Sequence, residues 1–290
     1  MNNSNNISPE SIITQLVQIK SSQSIKKSAE NLKLLFSLID LTSLSTQDTG
    51  RQIETMCLRV NEFSKNFPGM ENVGAVCVYP SLVPVVKKHL TDYKVGIASV
   101  AAGFPSSQTF LPVKELESSM AVEAGATEID IVMSVGKYLE NDLEYIKSEI
   151  SCIKKAVSPA KLKVILETGL LPTPYDIYRA SMTCLDSGAD FIKTSTGKVQ
   201  PAATHEAVLV MCHAINEHYK NTGKMAGIKP AGGISTADQA LEYASIIHYV
   251  LGEKWLNPRL FRIGASRLAN QLLSEIKQID SGNTSEVNYF

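Results

Sequence analysis

The feature that most constrains the fold is a regular alternation of short apolar runs with amphipathic segments. The runs recur about every 30 residues, and each is followed by a stretch with helical periodicity. They span residues 34–41, 73–79, 95–100, 128–133, 162–166, 190–193, 225–228 and 260–263. Strands that are apolar throughout indicate a parallel sheet covered on both faces. Eight such units in about 250 residues predict an α/β fold closed into a (β/α)8 TIM barrel. The alternative, an open doubly wound sheet, lacks a G-x-G-x-x-G turn after its first strand.

The residues outside these units define the predicted domain boundaries. Residues 1–25 are predicted to form an N-terminal extension, disordered over 1–7 and helical from Ser8-Pro9 onward. Residues 26–277 form the barrel, and residues 278–290 form a C-terminal tail. Inside the barrel, Val113, Leu116, Met120 and Ala124 predict a helix with one apolar stripe.

Composition argues against several classes of protein. The formal net charge is -1 and no long basic run occurs, which disfavours a nucleic-acid partner. No window of about 18 apolar residues predicts a membrane-spanning helix. The five cysteines are scattered without a C-x-x-C pair, as is typical of thiols in a reducing compartment. We therefore expect a cytoplasmic protein that binds neither membrane nor nucleic acid.

Unusual polar residues fall at the carboxyl ends of six predicted strands. They are Asp40, Cys77, Asp130, Glu167, Lys193 and Lys229. In a barrel these ends ring a single pocket, where such residues usually carry chemistry. Cys77 lies in an apolar run, which favours a thiol that lines the pocket over a nucleophile. The five histidines lie on predicted helices, so we predict no metal site and no hydrolytic triad.

Lys193 and Lys229 are the two of these residues that indicate a specific chemistry most clearly. Strands six and seven are neighbours, and two inward amines on neighbouring strands repel each other when both are charged. One amine then releases its proton more easily and can attack a carbonyl to form a Schiff base. The alternative is a fixed ion pair of one lysine with Asp130 or Glu167.

Glycine-rich turns after strands seven and eight predict a phosphate site. Gly232 and Gly233 follow Lys229, and Gly264 and Ser266 follow the last strand. Glycines let backbone N–H groups approach an anion, and a helix start at Ser266 would add its dipole. Loops after strands seven and eight are the usual phosphate site of this fold, and Lys198 could add a charge.

Six blocks of sequence, in order and spanning roughly residues 34 to 270, resemble the deoxyribose-phosphate aldolases. The blocks are Asp40-Leu-Thr42, Ala75-Val-Cys77-Val-Tyr-Pro80, Glu128-Ile-Asp130-Ile-Val132, Phe191-Ile-Lys193-Thr-Ser-Thr-Gly-Lys198, Gly227-Ile-Lys229-Pro-Ala-Gly-Gly-Ile234 and Phe261-Arg-Ile-Gly-Ala-Ser266. The chain is most similar to the eukaryotic type of this class I, Schiff-base family.

The resemblance implies a lyase of deoxyribose phosphate catabolism. Such an enzyme cleaves 2-deoxy-D-ribose 5-phosphate reversibly to acetaldehyde and D-glyceraldehyde 3-phosphate, with no metal or cofactor. It implies that Lys193 forms the Schiff base, that Lys229 lowers its pKa and that Asp130 transfers protons through a water. The substrate-binding residues it implies are Asp40, Thr42, Cys77, Thr196, Lys198, Gly232, Gly233, Gly264 and Ser266. We expect a small phosphorylated sugar as ligand and allow for a homo-oligomer.

Three departures from the family pattern leave local questions. Arg267 stands where many relatives have serine, Leu170 stands where relatives often have glutamate, and Tyr289 is penultimate where some relatives end in tyrosine. Two alternative functions stay open at this point. One is another metal-free class I aldolase acting on a phosphorylated sugar, and the other is a non-catalytic barrel.

Overall fold

Eight parallel strands form a barrel in the computed structural model, which describes residues 7–22, 24–282 and 284–290. The strands are β1 (Ile39–Thr42), β2 (Ala75–Val78), β3 (Gly96–Ala101), β4 (Glu128–Val132), β5 (Lys161–Ile165), β6 (Phe191–Lys193), β7 (Gly227–Lys229) and β8 (Ile263–Ala265). Each strand from β1 to β6 pairs with the next, and β8 pairs with β1. Isolated bridges join Ile228 to Phe261 and Ala231 to Gly264, which brings β8 beside β7. The predicted (β/α)8 barrel is confirmed.

Helices cover the outside of this barrel. They are α1 (Pro9–Ser22), α2 (Ala29–Ser37), α3 (Gly50–Asn66), α4 (Val83–His89), α5 (Leu111–Glu123), α6 (Val135–Leu139), α7 (Leu143–Val157), α8 (Pro174–Asp186), α9 (His205–Thr222), α10 (Ala237–Leu251) and α11 (Leu268–Ser281). Short 3-10 turns span Pro80–Leu82, Thr168–Leu170 and Glu253–Trp255. Because helices cover the sheet, nearly all strand residues are buried.

Threonine side chains start several of these helices. The hydroxyls of Thr173 and Thr204 accept from backbone N–H groups of the first turns of α8 and α9. Ser266 does not cap α11, because that helix begins at Leu268 after Arg267 and has no side-chain cap.

The first apolar run does not form one strand. Residues 34–37 belong to α2, whose Ser28 cap accepts from Asn31 N, and β1 starts only at Ile39. Leu32, Leu35 and Phe36 are buried at helical spacing. The run therefore pairs the end of a buried helix with a short strand, two elements that an apolar run alone does not separate.

Helix α5 turns its apolar stripe to solvent. Such a stripe ordinarily faces the core, yet Val113, Leu116 and Met120 are 48%, 59% and 57% exposed. The buried face of α5 instead carries Lys114, Ser118 and Ala121. Lys114 reaches a carboxylate on α7, so a polar contact occupies the helix face that apolar residues were expected to fill.

The two ends of the chain pack on the outside of the barrel. The predicted N-terminal helix is α1, and Ile12 and Ile19 are its buried residues. Its Gln15 side chain lies 2.8 Å from Nε2 of His213 on α9. The predicted disorder over 1–7 lies outside the described residues, except at Ile7, which is buried. The domain boundaries themselves stay predictions.

Candidate active site

The barrel places the two predicted lysines side by side. Lys193 ends β6 and Lys229 ends β7, and the two are register partners in the parallel ladder. Each ammonium donates to Oδ2 of Asp130 on β4 at 2.8 Å. All three residues are at most 3% exposed. The alternative ion pair with Asp130 is thus present, but Asp130 is shared with other lysines, so Lys193 has no carboxylate of its own.

Asp40 on β1 joins this cluster from the opposite wall. Its Oδ2 pairs closely with Nζ of Lys229, and its Oδ1 accepts from the Arg262 guanidinium at 2.5 Å. Asp40 is fully buried. A carboxylate held by two cations anchors Lys229 between Asp40 and Asp130.

Sequence reasoning missed three charged residues of the cluster. Lys163 on β5 donates to Oδ1 of Asp130 at 2.9 Å and lies 2.6 Å from Oε2 of Glu128. Glu128, the first residue of β4, also accepts from Arg262 at 2.9 Å. All three side chains are buried. The signal was available in the period of two along a strand, since Glu128 and Asp130 share one face of β4.

The cluster contains more basic than acidic groups. The carboxylates are Asp40, Glu128 and Asp130, and the basic groups are Lys163, Lys193, Lys229 and Arg262. With every group charged, the barrel interior would carry one uncompensated positive charge. Because a buried unpaired charge is costly, one base is driven toward its neutral form.

That base is Lys193. Burial and the neighbouring Lys229 ammonium lower the pKa of Lys193 below its usual value, although Asp130 acts in the opposite direction. Burial also acts to lower the pKa of Lys229, but Asp130 and Asp40 together raise it. Burial opposes ionisation of Asp130, yet the three lysines around it hold its pKa well below the usual value. The cluster therefore leaves a neutral amine most readily at Lys193.

An open cavity of about 650 Å³ lies beside Lys193 at the carboxyl end of the barrel. Of the three predicted catalytic residues, Lys193 lines it, while Asp130 and Lys229 are buried. The predicted substrate-binding residues on its wall are Thr42, Thr196, Lys198, Gly232, Gly233, Gly264 and Ser266. Gly232 and Gly233 have positive φ of 89° and 81°, a region that favours glycine.

The rim of this cavity is cationic. Lys198 Nζ donates to the carbonyl of Leu44 at 2.7 Å, so its ammonium is held across the cavity mouth. Arg267, also on the wall, is exposed. Two cations and a glycine-rich backbone make this wall complementary to an anion.

Glu167 does not contact the lysines, so the alternative that it forms their ion pair is wrong. It follows β5 with a φ of 52° and accepts from the backbone N and the hydroxyl of Thr196, at 3.1 and 2.6 Å. The same hydroxyl accepts from the N–H of Lys198 at 3.0 Å. Glu167 therefore holds the loop that carries Lys198.

Cys77 lies in the apolar part of the barrel interior. It is fully buried in a cluster with Ala75, Ala98 and Val100, against which Tyr79 and Phe104 pack. Burial raises the pKa of its thiol, which disfavours the thiolate. Cys77 does not line the cavity at Lys193, so its predicted place in the pocket stays a prediction.

Tyr289, in the C-terminal tail, packs against helix α3 on the outside of the barrel. Its hydroxyl donates to the carbonyl of Arg59 at 2.6 Å, and its ring contacts Phe63 and Phe67 edge-on. The tail is held there by Asn270, whose Oδ1 accepts from the backbone N of Tyr289. In this arrangement Tyr289 is an anchor of the tail and not a wall of the cavity at Lys193.

Comparison with known proteins shows that this chain is similar to aldolases. The family model of the DeoC/LacD family aldolases matches residues 34–249. A Caenorhabditis elegans relative is 44% identical over 249 residues, which cover 85% of this chain and 82% of the relative. The human deoxyribose-phosphate aldolase is 40% identical over 277 residues, covering 91% of this chain and 87% of that protein. The chain belongs to the DeoC/LacD family of aldolases.

A solved structure supports the fold separately. The tetrameric deoxyribose phosphate aldolase from Aeropyrum pernix aligns over 95% of this chain and 100% of its own, with a TM-score of 0.64 and 24% identity. In the described part of this chain, no helix is long and apolar enough to cross a membrane.

Proposed function

We propose that this protein is a deoxyribose-phosphate aldolase, which cleaves 2-deoxy-D-ribose 5-phosphate reversibly to acetaldehyde and D-glyceraldehyde 3-phosphate. One observation carries the assignment of the residues. Lys193 lies in a cluster with one excess cation and also faces a cavity whose far wall suits an anion. A neutral amine and an anion site in one cavity fit a phosphorylated aldehyde.

Lys193 starts the reaction as the nucleophile. Its neutral amine adds to the C1 aldehyde of the open-chain sugar, and loss of water from the carbinolamine gives an iminium. The C3 hydroxyl then loses its proton, and the electrons of the C2–C3 bond move into the iminium. This step forms an enamine on Lys193 and releases glyceraldehyde 3-phosphate. Protonation of the enamine at C2 and hydrolysis of the imine release acetaldehyde and restore the amine.

Asp130 and Lys229 are placed to move the protons. Asp130 Oδ2 lies 2.8 Å from Nζ of both lysines, so Asp130 can accept a proton from Lys193 and return it within one hydrogen-bonded group. Lys229 keeps its own charge because Asp40 and Asp130 flank it. Its charge then stabilises the neutral state of Lys193 before the attack.

The phosphate end is assigned to the wall formed by the loops after β6, β7 and β8. Backbone groups at Gly232 and Gly233 and the side chain of Lys198 are its donors. Binding energy from this remote group fixes the sugar for attack at C1. Asp40 and Cys77, the other two predicted binding residues, are buried beside the lysine cluster and do not line the cavity.

The first experiment is borohydride trapping with 2-deoxyribose 5-phosphate in EDTA, followed by peptide mass mapping. We expect a stable adduct on Lys193 and release of both aldehydes. Trapping with another phosphorylated sugar, but none with this one, would favour a different class I aldolase. A folded protein that traps no aldehyde would be a non-catalytic barrel.

Assembly and location stay predictions for this chain. The sequence allows for a homo-oligomer, and the Aeropyrum pernix relative is described as a tetramer. Light scattering after size-exclusion chromatography measures the mass directly. Imaging of the fluorescently tagged chain tests the expected cytoplasmic location.

A further inference from the structure

We propose that Arg262 and Glu128, at the amino-terminal end of the barrel interior, are positioning residues that control how readily Lys193 releases its proton. The proposal rests on the proposed function of Lys193. Neither residue touches the cavity in which the sugar would bind. Their effect on the nucleophile therefore has to travel through the buried charges between them.

A continuous series of ion pairs joins Arg262 to Lys193. Arg262 Nη1 donates to Oδ1 of Asp40 at 2.5 Å, and the other oxygen of Asp40 pairs with Lys229. Lys229 and Lys193 share Oδ2 of Asp130 at 2.8 Å each. Charges alternate along the series, so the two terminal members, Arg262 and Lys193, are both bases.

Glu128 forms a second branch with the opposite charge. It accepts from Arg262 Nη2 at 2.9 Å and lies 2.6 Å from Lys163 Nζ. Lys163 in turn donates to the remaining oxygen of Asp130 at 2.9 Å. Both oxygens of Asp130 are thus occupied by ammonium groups, which limits how strongly Asp130 can hold the proton of Lys193.

The backbone leaves space for this pair. A Cβ on Gly74 would lie 3.0 Å from Nε of Arg262, and a Cβ on Gly96 would lie 3.0 Å from Oε1 of Glu128. Arg262 Nε also donates to the carbonyl of Pro258 at 2.5 Å. The guanidinium is therefore fixed by close packing and by hydrogen bonds on several sides, so its charge has a defined place in the barrel.

Charged or titratable groups from seven strands, or from the residue just before a strand, enter this electrostatic environment. They are Asp40, Cys77, Glu128 with Asp130, Lys161 with Lys163, Lys193, Lys229 and Arg262. The side chains are largely removed from water, so a charge added or removed at one end acts on the others with little screening.

The expected effects have opposite signs. Removing the positive charge of Arg262 favours the ammonium form of Lys193, so the neutral amine appears only at higher pH. Removing the negative charge of Glu128 leaves Arg262 and Lys163 less compensated, so the amine appears at lower pH. A purely structural role for the two residues would lower the rate without moving the two midpoints apart.

The test uses acetaldehyde as the probe, because it has no titratable group of its own. The rate of adduct formation on Lys193 with cyanoborohydride is measured between about pH 5 and pH 10, a range that brackets a lowered lysine pKa. The variants are Arg262→Met, its charge-conserving control Arg262→Lys, Glu128→Gln, and the double variant Arg262→Met/Glu128→Gln.

We expect the midpoint of the acid limb to move up by about one pH unit in Arg262→Met and down by a similar amount in Glu128→Gln. Arg262→Lys and the double variant should lie near the wild-type midpoint. If Arg262→Met does not fold, Glu128→Gln decides alone, since its side chain keeps the same shape. Unmoved midpoints, or shifts in the same direction, would overturn the proposal. A wild-type protein that forms no adduct would instead reject the proposed function.

Discussion

One buried cluster of charge lies outside the barrel, and another lies inside it. Outside, Lys114 on α5 meets Glu149 on α7 at 2.5 Å, and its two other donors reach the hydroxyls of Ser107 and Ser134. Inside, four basic groups share three carboxylates. Both clusters are nearly inaccessible to water. Only the second one has an excess charge.

The difference shows that burial alone does not make a lysine reactive. Lys114 has a carboxylate of its own, and Glu149 Oε2 is further occupied by the backbone N of Ser134 at 3.0 Å. Lys193 shares its carboxylate with two other lysines and opens to a cavity. A closed, balanced pair stabilises the fold, whereas an unbalanced group supplies a nucleophile.

The largest expected effect comes from removing the nucleophile. Lys193→Met should lower the rate of sugar cleavage by a factor on the order of 10⁴ or more, because no imine can form. It also removes the excess cation, so the thermal midpoint should not fall. Activity is followed by coupled assay and folding by calorimetry. If Lys193→Met still formed the trapped adduct at the wild-type rate, on another residue of the chain, the comparison would be wrong.

Breaking the balanced pair should affect stability and not chemistry. Lys114→Met leaves Glu149 buried without its cation and should lower the free energy of unfolding by about 3–5 kcal/mol. Urea titration measures this loss, and kcat of the folded variant should stay within a few fold of wild type. Lys114→Met/Glu149→Leu is the matched control and should recover part of the lost stability. A large fall in kcat with unchanged stability would contradict the division of roles.

Lys229→Met sharpens the comparison inside the barrel. The Lys229 ammonium helps to lower the pKa of Lys193, so its loss should raise that pKa. The reactive form is the neutral amine, so the acid limb of adduct formation moves to higher pH. At neutral pH the rate then falls roughly tenfold for each unit. Acetaldehyde trapping against pH checks this, and an unshifted limb would show that Lys229 acts in some other way.

The smallest effect concerns the cavity rim. Arg267 is exposed on the wall assigned to phosphate, so Arg267→Ser should raise KM for the phosphorylated sugar several-fold with little change in kcat. The rate with acetaldehyde, which has no phosphate, serves as the control and should not change. Equal KM values for wild type and variant would place the guanidinium in solvent.

The sequence predicts the barrel and the strand-end residues because both follow from local pattern. Lys193 and Lys229 interrupt apolar runs, Gly232 and Gly233 follow β7, and Gly264 lies within β8. Lys163 escaped notice because Lys161-Leu-Lys163 alternates like a strand with one solvent face, while the structure buries Lys163 completely. Arg262 is similar, since its carboxylate partners lie 134 and 222 residues away in the chain. Such partners are fixed by closure of the barrel and not by neighbouring residues.

The direction of α5 could not be read from its pattern for the same reason. Its apolar stripe predicts a core face, but Glu149, on another helix, determines which side of α5 is buried. The split of residues 34–41 into helix and strand depends likewise on the Ser28 cap, which precedes the run.

The joint between β7 and β8 links closure of the barrel to binding of the sugar. The barrel is closed there by isolated bridges. Ala231 and Gly264, which form one of these bridges, also line the cavity. A phosphate bound by the loops after both strands would hold β7 and β8 together across that joint. Amide hydrogens along the joint would then exchange more slowly when the sugar is bound. Binding at the site would thus stabilise the closure of the barrel that forms the site.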